Sequence, residues 1–363
     1  MTSKTNKNNP QESPPPFCTL FNRTDILVDW LQIYGHHVEF TSPLFDFRIK
    51  PFGTKHFNYV TEVWEGTNKI GEIAHSPRSR ILHKDSVIIK LDNKVLYLSN
   101  LEYIINKLVS ALCFEIRSIT RVDFAVDFPT FLNGLHPNNF ISKFLQNDIL
   151  KIGRGTFKVV GCQKKINEYD YLRFGSNTSD VSAYVYNKTK ELNQVKNKPY
   201  IRENWTWYDN KQDSWQSFDT WRLEFSIKND KITYLNIDTG ELVPLTINTI
   251  LCLETRRFIF HSLLNHYFYF VHNSGQSRKD RMRKVATLNI MDTPGQLLIP
   301  NEHTESGRMQ KIFIRMLEEF NNENRKLSKE YESAGSLLIE KYIEKYDLKG
   351  WVNKNQILNF NKS

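Results

Sequence analysis

The chain has 363 residues, 40% hydrophobic and 13% aromatic, with 49 Lys and Arg against 40 Asp and Glu for a net charge of +9. That is enough for one large or two ordinary domains with a substantial core. The positive balance favours a polyanionic partner, nucleic acid ahead of an anionic membrane. The lack of any apolar run of about 18 residues argues against a transmembrane helix.

The opening MTSKTNKNNPQESPPP has no apolar core of the kind a signal peptide needs, and predicts a disordered leader over 1–16. Cys18, Cys113, Cys162 and Cys252 are widely spaced and form no CxxC pair. They predict reduced thiols in a cytoplasmic protein rather than a disulfide framework or a zinc site.

Thr24 or Asp25 can cap a helix over 26–34, and a strand over 26–33 fits the same residues. From 38 to 97 the pattern is β: VEF, FDFRI, FNYVTEVWE, KIGEIA, SVIIKL and KVLYL, broken by turn residues. Asp92-Asn93-Lys94 predicts a hairpin turn between the last two runs. Helical spacing predicts helices over 101–114 and 137–149, with strands at 157–160 and 169–174 between turns. Residues 193–219 are polar with scattered aromatics and predict a long loop. Near 241–250 the pattern becomes helical, with helices expected over 247–271, 306–320 and 335–345. The expected fold is α+β: an antiparallel-sheet catalytic domain with flanking helices over 17–240, then a mainly helical C-terminal region over 241–363, a candidate for DNA binding.

Three alternating strands carry unusual polar faces. In 120–128, TRVDFAVDF, Arg121, Asp123 and Asp127 share one face with Ala125, while Val122, Phe124, Val126 and Phe128 share the other. In 181–188, VSAYVYNK, Ser182, Tyr184, Tyr186 and Lys188 fall together. In 221–228, WRLEFSIK, Arg222, Glu224 and Ser226 do so. Each strand alone is explained by a solvated sheet face with cross-strand ion pairs. Together they supply complementary parts of one chemistry. Carboxylates suit Mg²⁺ or Mn²⁺, which polarises a scissile phosphate. A tyrosine hydroxyl is a nucleophile when a base or a cation activates it. Lys188 is a candidate to stabilise the phenolate or the transition state, and Arg121 and Arg222 to clamp phosphate oxygens. Asp127 lies roughly 13 Å along an extended strand from Asp123, too far to share one ion unless the strand bends.

The order Arg121-Val-Asp123, Gly175-Ser176, Tyr186-Asn-Lys188-Thr-Lys-Glu191 and Arg222-Leu-Glu224 resembles the Rep_trans family of rolling-circle replication initiation factors from plasmids and mobile elements. The resemblance covers roughly residues 118–228. It implies a metal-dependent, origin-specific DNA nicking and strand-joining endonuclease. Tyr186 would be the nucleophile that forms a 5′-phosphotyrosyl link, and the freed 3′-hydroxyl would prime synthesis. Asp123 and Glu224, with Asp127 as a further candidate, would hold Mg²⁺ or Mn²⁺, and Lys188 and Glu191 would support the tyrosine. A homodimer and a recruited host helicase are also implied. Tyr184 shares the predicted face of Tyr186, and only the Y-x-K motif separates the two.

Outside this block, QSRKDRMRK at 276–284 makes Arg278, Lys279, Arg281, Arg283 and Lys284 candidates for phosphate contact, against the alternative of a solvated helix face. Trp205 and Trp207 are candidates to stack on unpaired bases, against the alternative of a lid over the sheet. No His-x-His occurs, which disfavours the two-histidine relaxases, and no GxxxxGK[ST] occurs, so no intrinsic helicase is expected. Competing readings are a relaxase-like nickase for conjugative mobilisation and a non-enzymatic DNA-binding module.

Overall fold

Period-two alternation builds the molecule. The computed structural model describes residues 26–79, 82–153, 156–161, 168–176, 179–194, 198–205, 219–228, 232–235, 242–288 and 298–300. The first strands are β1 (Leu27–His36), β2 (Asp46–Ile49), β3 (Phe57–Glu65), β4 (Asn68–Pro77) and β5 (Ser86–Leu91), followed by helices α1 (Asn93–Leu96) and α2 (Leu101–Ala111). Then come β6 (Glu115–Phe128), α3 (Pro137–Leu145), β7 (Ile149–Lys151), β8 (Phe157–Gly161), β9 (Tyr169–Phe174) and β10 (Val181–Asn187). Helices α4 (Lys188–Gln194) and α5 (Pro199–Glu203) precede β11 (Trp221–Lys228), β12 (Ile232–Leu235) and β13 (Leu242–Pro244). The described part ends with α6 (Ile247–Leu251), α7 (Leu253–Tyr267), β14 (Phe270–His272) and β15 (Leu298–Pro300).

Ten of these strands form one antiparallel sheet in the order β2-β3-β4-β5-β1-β6-β11-β10-β9-β8. The expected α+β class, a large antiparallel sheet with flanking helices, is what the chain adopts. One face of the sheet is apolar from end to end: Val63, Ile73, Ile89, Ile33, Val122, Phe225, Val185 and Leu172 are all buried. Helices α2 and α7 contribute to the same core through Ile104, Ile105, Leu108, Ile259 and Phe260, and the Phe225 and Phe260 rings meet edge to face at 5.0 Å. Burying each such side chain contributes about 1.5–3 kcal/mol, so this face holds the sheet flat against its helices and leaves the other for chemistry. β1 and β6 approach closely at Gly35, where an added Cβ would lie 2.0 Å from the Glu115 carbonyl oxygen.

Three local expectations change. Residues 26–33, which fitted helix or strand, form β1, and β1 contains a bulge: Val28 pairs with Phe124 and Trp30 with Asp123, leaving Asp29 as an extra residue between them. Asp92-Asn93-Lys94 is not a hairpin turn, and KVLYL is not a strand. The Asp92 carboxylate accepts from the Lys94 N–H at 3.0 Å and caps α1, whose Val95 and Leu96 are buried. The cap therefore overrides the β propensity of Val95 and Tyr97. The segment 247–271 forms two helices that pack on the main sheet, but its last residues belong to β14, which pairs with β7. The chain divides into compact units Met1–Asn301 and Glu302–Ser363. The leader over 1–16 and the expected helices at 306–320 and 335–345 lie outside the described residues. None of the described helices is long and apolar enough to cross a membrane.

Candidate active site

The polar face is a grid set by register. Asp127 of β6 pairs with Arg222 of β11, which pairs with Tyr186 of β10. The next row is Ala125, Glu224 and Tyr184, and the one after it is Asp123, Ser226 and Ser182. The three alternating strands are thus neighbours, and the small Ala125 leaves room above β6 between the two acidic side chains.

Tyr186 is at the centre. Its hydroxyl donates to Glu224 Oε2 at 2.9 Å, and Lys188 Nζ lies 3.4 Å from the same phenol oxygen. Lys188 opens α4 and is 2% exposed, and its ammonium pairs with Glu191 Oε2 at 2.5 Å. The turn from β10 into α4 brings Tyr186, Lys188 and Glu191 together, because Glu191 falls one helical turn beyond Lys188. Burial, then the neighbouring charges of Asp123 and Asp29, push the Glu224 carboxyl up to about 8. Burial, then the Glu224 charge, raise the Tyr186 phenol well above its ordinary value. The pair is a phenol poised against a carboxyl whose affinity for a proton is unusually high.

Arg222 occupies a closed compartment beside this pair. It is 0% exposed, and its Nε and Nη2 donate to the two Asp127 oxygens at 2.6 and 2.7 Å. Its Nη1 donates to Asp29 Oδ1 at 2.7 Å, and Nη2 also reaches Tyr97 Oη at 3.0 Å. Tyr97 in turn donates to Asp29 Oδ1 at 2.6 Å, and Asn93 Nδ2 donates to Asp29 Oδ1 at 3.2 Å. Trp205 Nε1 donates to the second Asp127 oxygen at 2.8 Å. Burial opposes ionisation of Asp29, but the charges of Arg222 and Lys188 and the hydrogen bonds from Tyr97 and Asn93 outweigh it and hold the carboxyl well below the usual range. Two sequence expectations give way here. Arg222 has its guanidinium enclosed by protein, so it does not face a phosphate. Trp205 is 5% exposed with its N–H on Asp127, so its ring packs against the protein instead of presenting a face to a base.

Asp123 is the third element. It is 2% exposed, and Arg121 grips it with Nε on Oδ1 at 3.0 Å and Nη2 on Oδ2 at 2.5 Å. Burial raises the Asp123 carboxyl despite Arg121. The Arg121 guanidinium lies 4.2 Å from the Trp30 ring centre, and Arg173 lies 4.9 Å from the Tyr184 ring centre. Asp29, Tyr97 and Asn93 had no sequence expectation attached to them as site residues. The broken alternation at 28–30 is the one signal that could have placed Asp29 here.

Among the described residues no three His, Cys, Asp or Glu are placed to hold a metal ion together. Asp123 and Glu224 nevertheless fit Mg²⁺ or Mn²⁺, which commonly takes one or two carboxylates and completes its shell with water and phosphate. Both carboxylates have both oxygens bonded, but Asp127 is held by the fully enclosed Arg222 and by Trp205, whereas Asp123 is held by Arg121, which is partly exposed, so Asp127 is the poorer fit. Elsewhere, Arg278, Lys279, Arg281, Arg283 and Lys284 are exposed on an irregular loop with a single 3-10 turn at Lys279–Arg281, held by buried Met282 and Val285. Lys284 Nζ donates to Asn265 Oδ1 at 2.8 Å. Trp207 lies outside the described residues.

The Glu224 shift makes a solution prediction. A carboxyl whose value is raised from 4.5 to about 8 on folding favours the folded state when protonated. Its contribution is therefore present at low pH and is lost as pH rises from 4.5 to 8. Urea unfolding of the metal-free chain should show stability falling across that window, and Glu224→Gln should flatten the fall. An unchanged slope in the variant would assign the effect to another group.

No family model matches the chain, and no curated protein matches it. Among solved structures, it is similar to one described as a rolling circle replication initiator protein from Geobacillus stearothermophilus, with 16% identity over 72% of this chain and 92% of that chain, and a TM-score of 0.45.

Proposed function

We propose that the chain initiates rolling-circle replication by nicking origin DNA through Tyr186. The observation that carries this reading is the hydrogen bond from the Tyr186 hydroxyl to Glu224, with Lys188 on the same oxygen and Asp123 on the same face. Glu224 takes the phenol proton on Oε2, the oxygen that already accepts its hydrogen bond, which leaves its other carboxyl oxygen for a cation. Lys188 stabilises the phenolate as it forms, and Glu191 holds Lys188 in place. The Tyr186 oxygen bonds to phosphorus, the bond to the 3′ oxygen breaks, and that oxygen leaves as the 3′-hydroxyl with a proton from solvent. The 5′ phosphate stays on the tyrosine. Asp123 and Glu224 would hold Mg²⁺ or Mn²⁺, which would screen the charge of the scissile phosphate.

Arg222 and Asp127 serve as a buried clamp that fixes β6 against β11, so Arg222 acts through the residues it positions. The exposed basic loop at 278–284 contacts duplex phosphates flanking the nick. Unwinding is supplied by a host helicase, and a homodimer provides a second tyrosine for closing the displaced strand.

The test is incubation of the full chain with a supercoiled plasmid carrying the origin of its own element, with Mg²⁺ or Mn²⁺ and then with EDTA. Open-circle product with protein on a 5′ end, lost with EDTA, is expected. Origin binding with no nick under any metal condition would make the chain a non-enzymatic module.

A further inference from the structure

The large sheet has an open edge at β2, which ends the ten-stranded order and pairs with β3 alone. The Lys50 N–H donates to the Val60 carbonyl at 2.8 Å, and the antiparallel ladder repeats at every second residue, so Asp46 and Arg48 also turn their backbone groups toward β3. Phe47 and Ile49 therefore turn their N–H and C=O groups away from the sheet. The apolar side chains around this edge are uncovered as well. Ile49 is 71% exposed, Phe52 70% and Leu44 52%, and the first two are the most exposed large hydrophobic residues among those described. An edge strand flanked by bare apolar side chains is a template for another strand.

Charged side chains usually close such an edge by opposing whatever strand adds to it. In β2 the charges are opposite, and alternation puts Asp46 and Arg48 on one face. Among the described residues neither makes an ion pair, and the Arg48 guanidinium lies 4.4 Å from the Trp64 ring centre, which orients it without neutralising it. A second copy of β2 laid antiparallel beside the first on a two-fold axis can be centred on any of its four residues. Centred on Asp46, that carboxylate opposes itself. Centred on Arg48, the guanidinium opposes itself. Centred on Ile49, Phe47 opposes Pro51, which has no N–H to donate, and both charges stay unmatched. Centred on Phe47, the outward backbone groups of Phe47 meet their equivalents, and Asp46 of each copy opposes Arg48 of the other. Those two charge pairs fall at the closely spaced positions of the ladder, about 4.5 Å between Cα atoms. The same register carries the exposed Ile49 against the second copy's apolar edge.

We propose that β2 is the surface through which two copies of this chain join, by antiparallel pairing centred on Phe47 and fixed by two reciprocal Asp46–Arg48 contacts. The two-fold axis then stands perpendicular to the sheet, so both polar faces, each with its Tyr186, look to the same side. This pairing gives the homodimer of the replication reading a surface, and rests on that reading only for what the dimer serves. The opposite end of the sheet offers no equivalent. Strand β8 carries Lys158 as its one charged residue, which no register of β8 with itself can match to an opposite charge.

The test is analytical ultracentrifugation of the full chain without DNA, over a range of micromolar concentrations. The unsubstituted chain should form a dimer. Asp46→Arg and Arg48→Asp should each weaken it by about 10-fold or more, because the symmetry turns two attractive contacts into two repulsive ones. Mixed in equal amounts, the two variants should regain the parent's affinity as a heterodimer, since each offers the charge that the other lacks. A chain that had merely lost its fold could not be rescued in this way. Both reversals in one chain should likewise dimerise, and Lys158→Glu on β8 should leave the dimer intact. A parent that stays monomeric, single variants that dimerise as the parent does, or a mixture that fails to associate would each overturn the assignment. Dissociation by Lys158→Glu would overturn it in favour of β8. Failure of the nickase reading is seen separately, as absence of nicking by a parent chain that still dimerises.

Discussion

Tyr186→Phe is expected to abolish covalent attachment to DNA and to reduce nicking by about 10⁴-fold or more, the scale on which loss of a nucleophile acts. The substitution removes one oxygen and keeps the ring, so the sheet is undisturbed. Tyr184→Phe is expected to retain the adduct. The two tyrosines point from the same face, but their surroundings differ. Tyr186 has a carboxylate acceptor at 2.9 Å and an ammonium at 3.4 Å from its hydroxyl. Tyr184 has the Arg173 guanidinium over its ring instead. Glu224→Gln keeps a hydrogen-bond acceptor but cannot take the proton, so it should slow nicking while sparing DNA binding. Labelled DNA resolved on a denaturing protein gel reads all three. An adduct that survives in Tyr186→Phe and disappears in Tyr184→Phe would reverse the assignment.

Arg222→Met should cost about 3–5 kcal/mol of stability, the range for breaking a buried ion pair from one side. The guanidinium is fully enclosed and holds Asp127 and Asp29 at once. Its removal leaves both carboxylates facing each other across a dry compartment. Arg222→Lys should recover little, because a single ammonium cannot reproduce the planar fork on Asp127 while also reaching Asp29. Equilibrium urea unfolding at neutral pH measures the loss. The penalty should shrink in acid: Asp29 is held below its ordinary value, so its contribution exists above the unfolded value near 4 and fades as pH falls. A Met variant within 1 kcal/mol of the parent at neutral pH would mean that solvent reaches the compartment.

Alternation is visible in the sequence wherever a strand is regular, and β6, β10 and β11 are regular. Their shared polar face was therefore legible, including Tyr186, Glu224 and Asp123 as one group. Burial was not legible. Arg121 and Arg222 each stand two residues before an acidic residue of the same face, yet one leans over Trp30 near solvent and the other is sealed in by Tyr97 and Trp205. Nothing in either strand distinguishes them, because the covering residues come from the segments just after α1 and α5. Asp29 escaped for a different reason. The bulge shifts the apolar positions of β1 to 27, 28, 31 and 33, a spacing that a helix also satisfies. Tyr97 escaped because KVLYL has the composition of a strand, whereas the Asp92 cap starts a helix that ends at Leu96 with Tyr97 as its C-cap.

The bulge in β1 has a consequence for chain length. It turns Asp29 toward the Arg222 compartment and Trp30 toward Lys90 and Arg121, so adjacent positions on one strand serve both clusters. Deleting one residue between Val28 and Trp30 would restore regular alternation and leave one of the two clusters without its β1 side chain. Adding one would turn the following residues to the wrong face. Scanning deletions and insertions across 24–40 should therefore find a sharp intolerance confined to these few positions, beside loops where a change in length passes unnoticed.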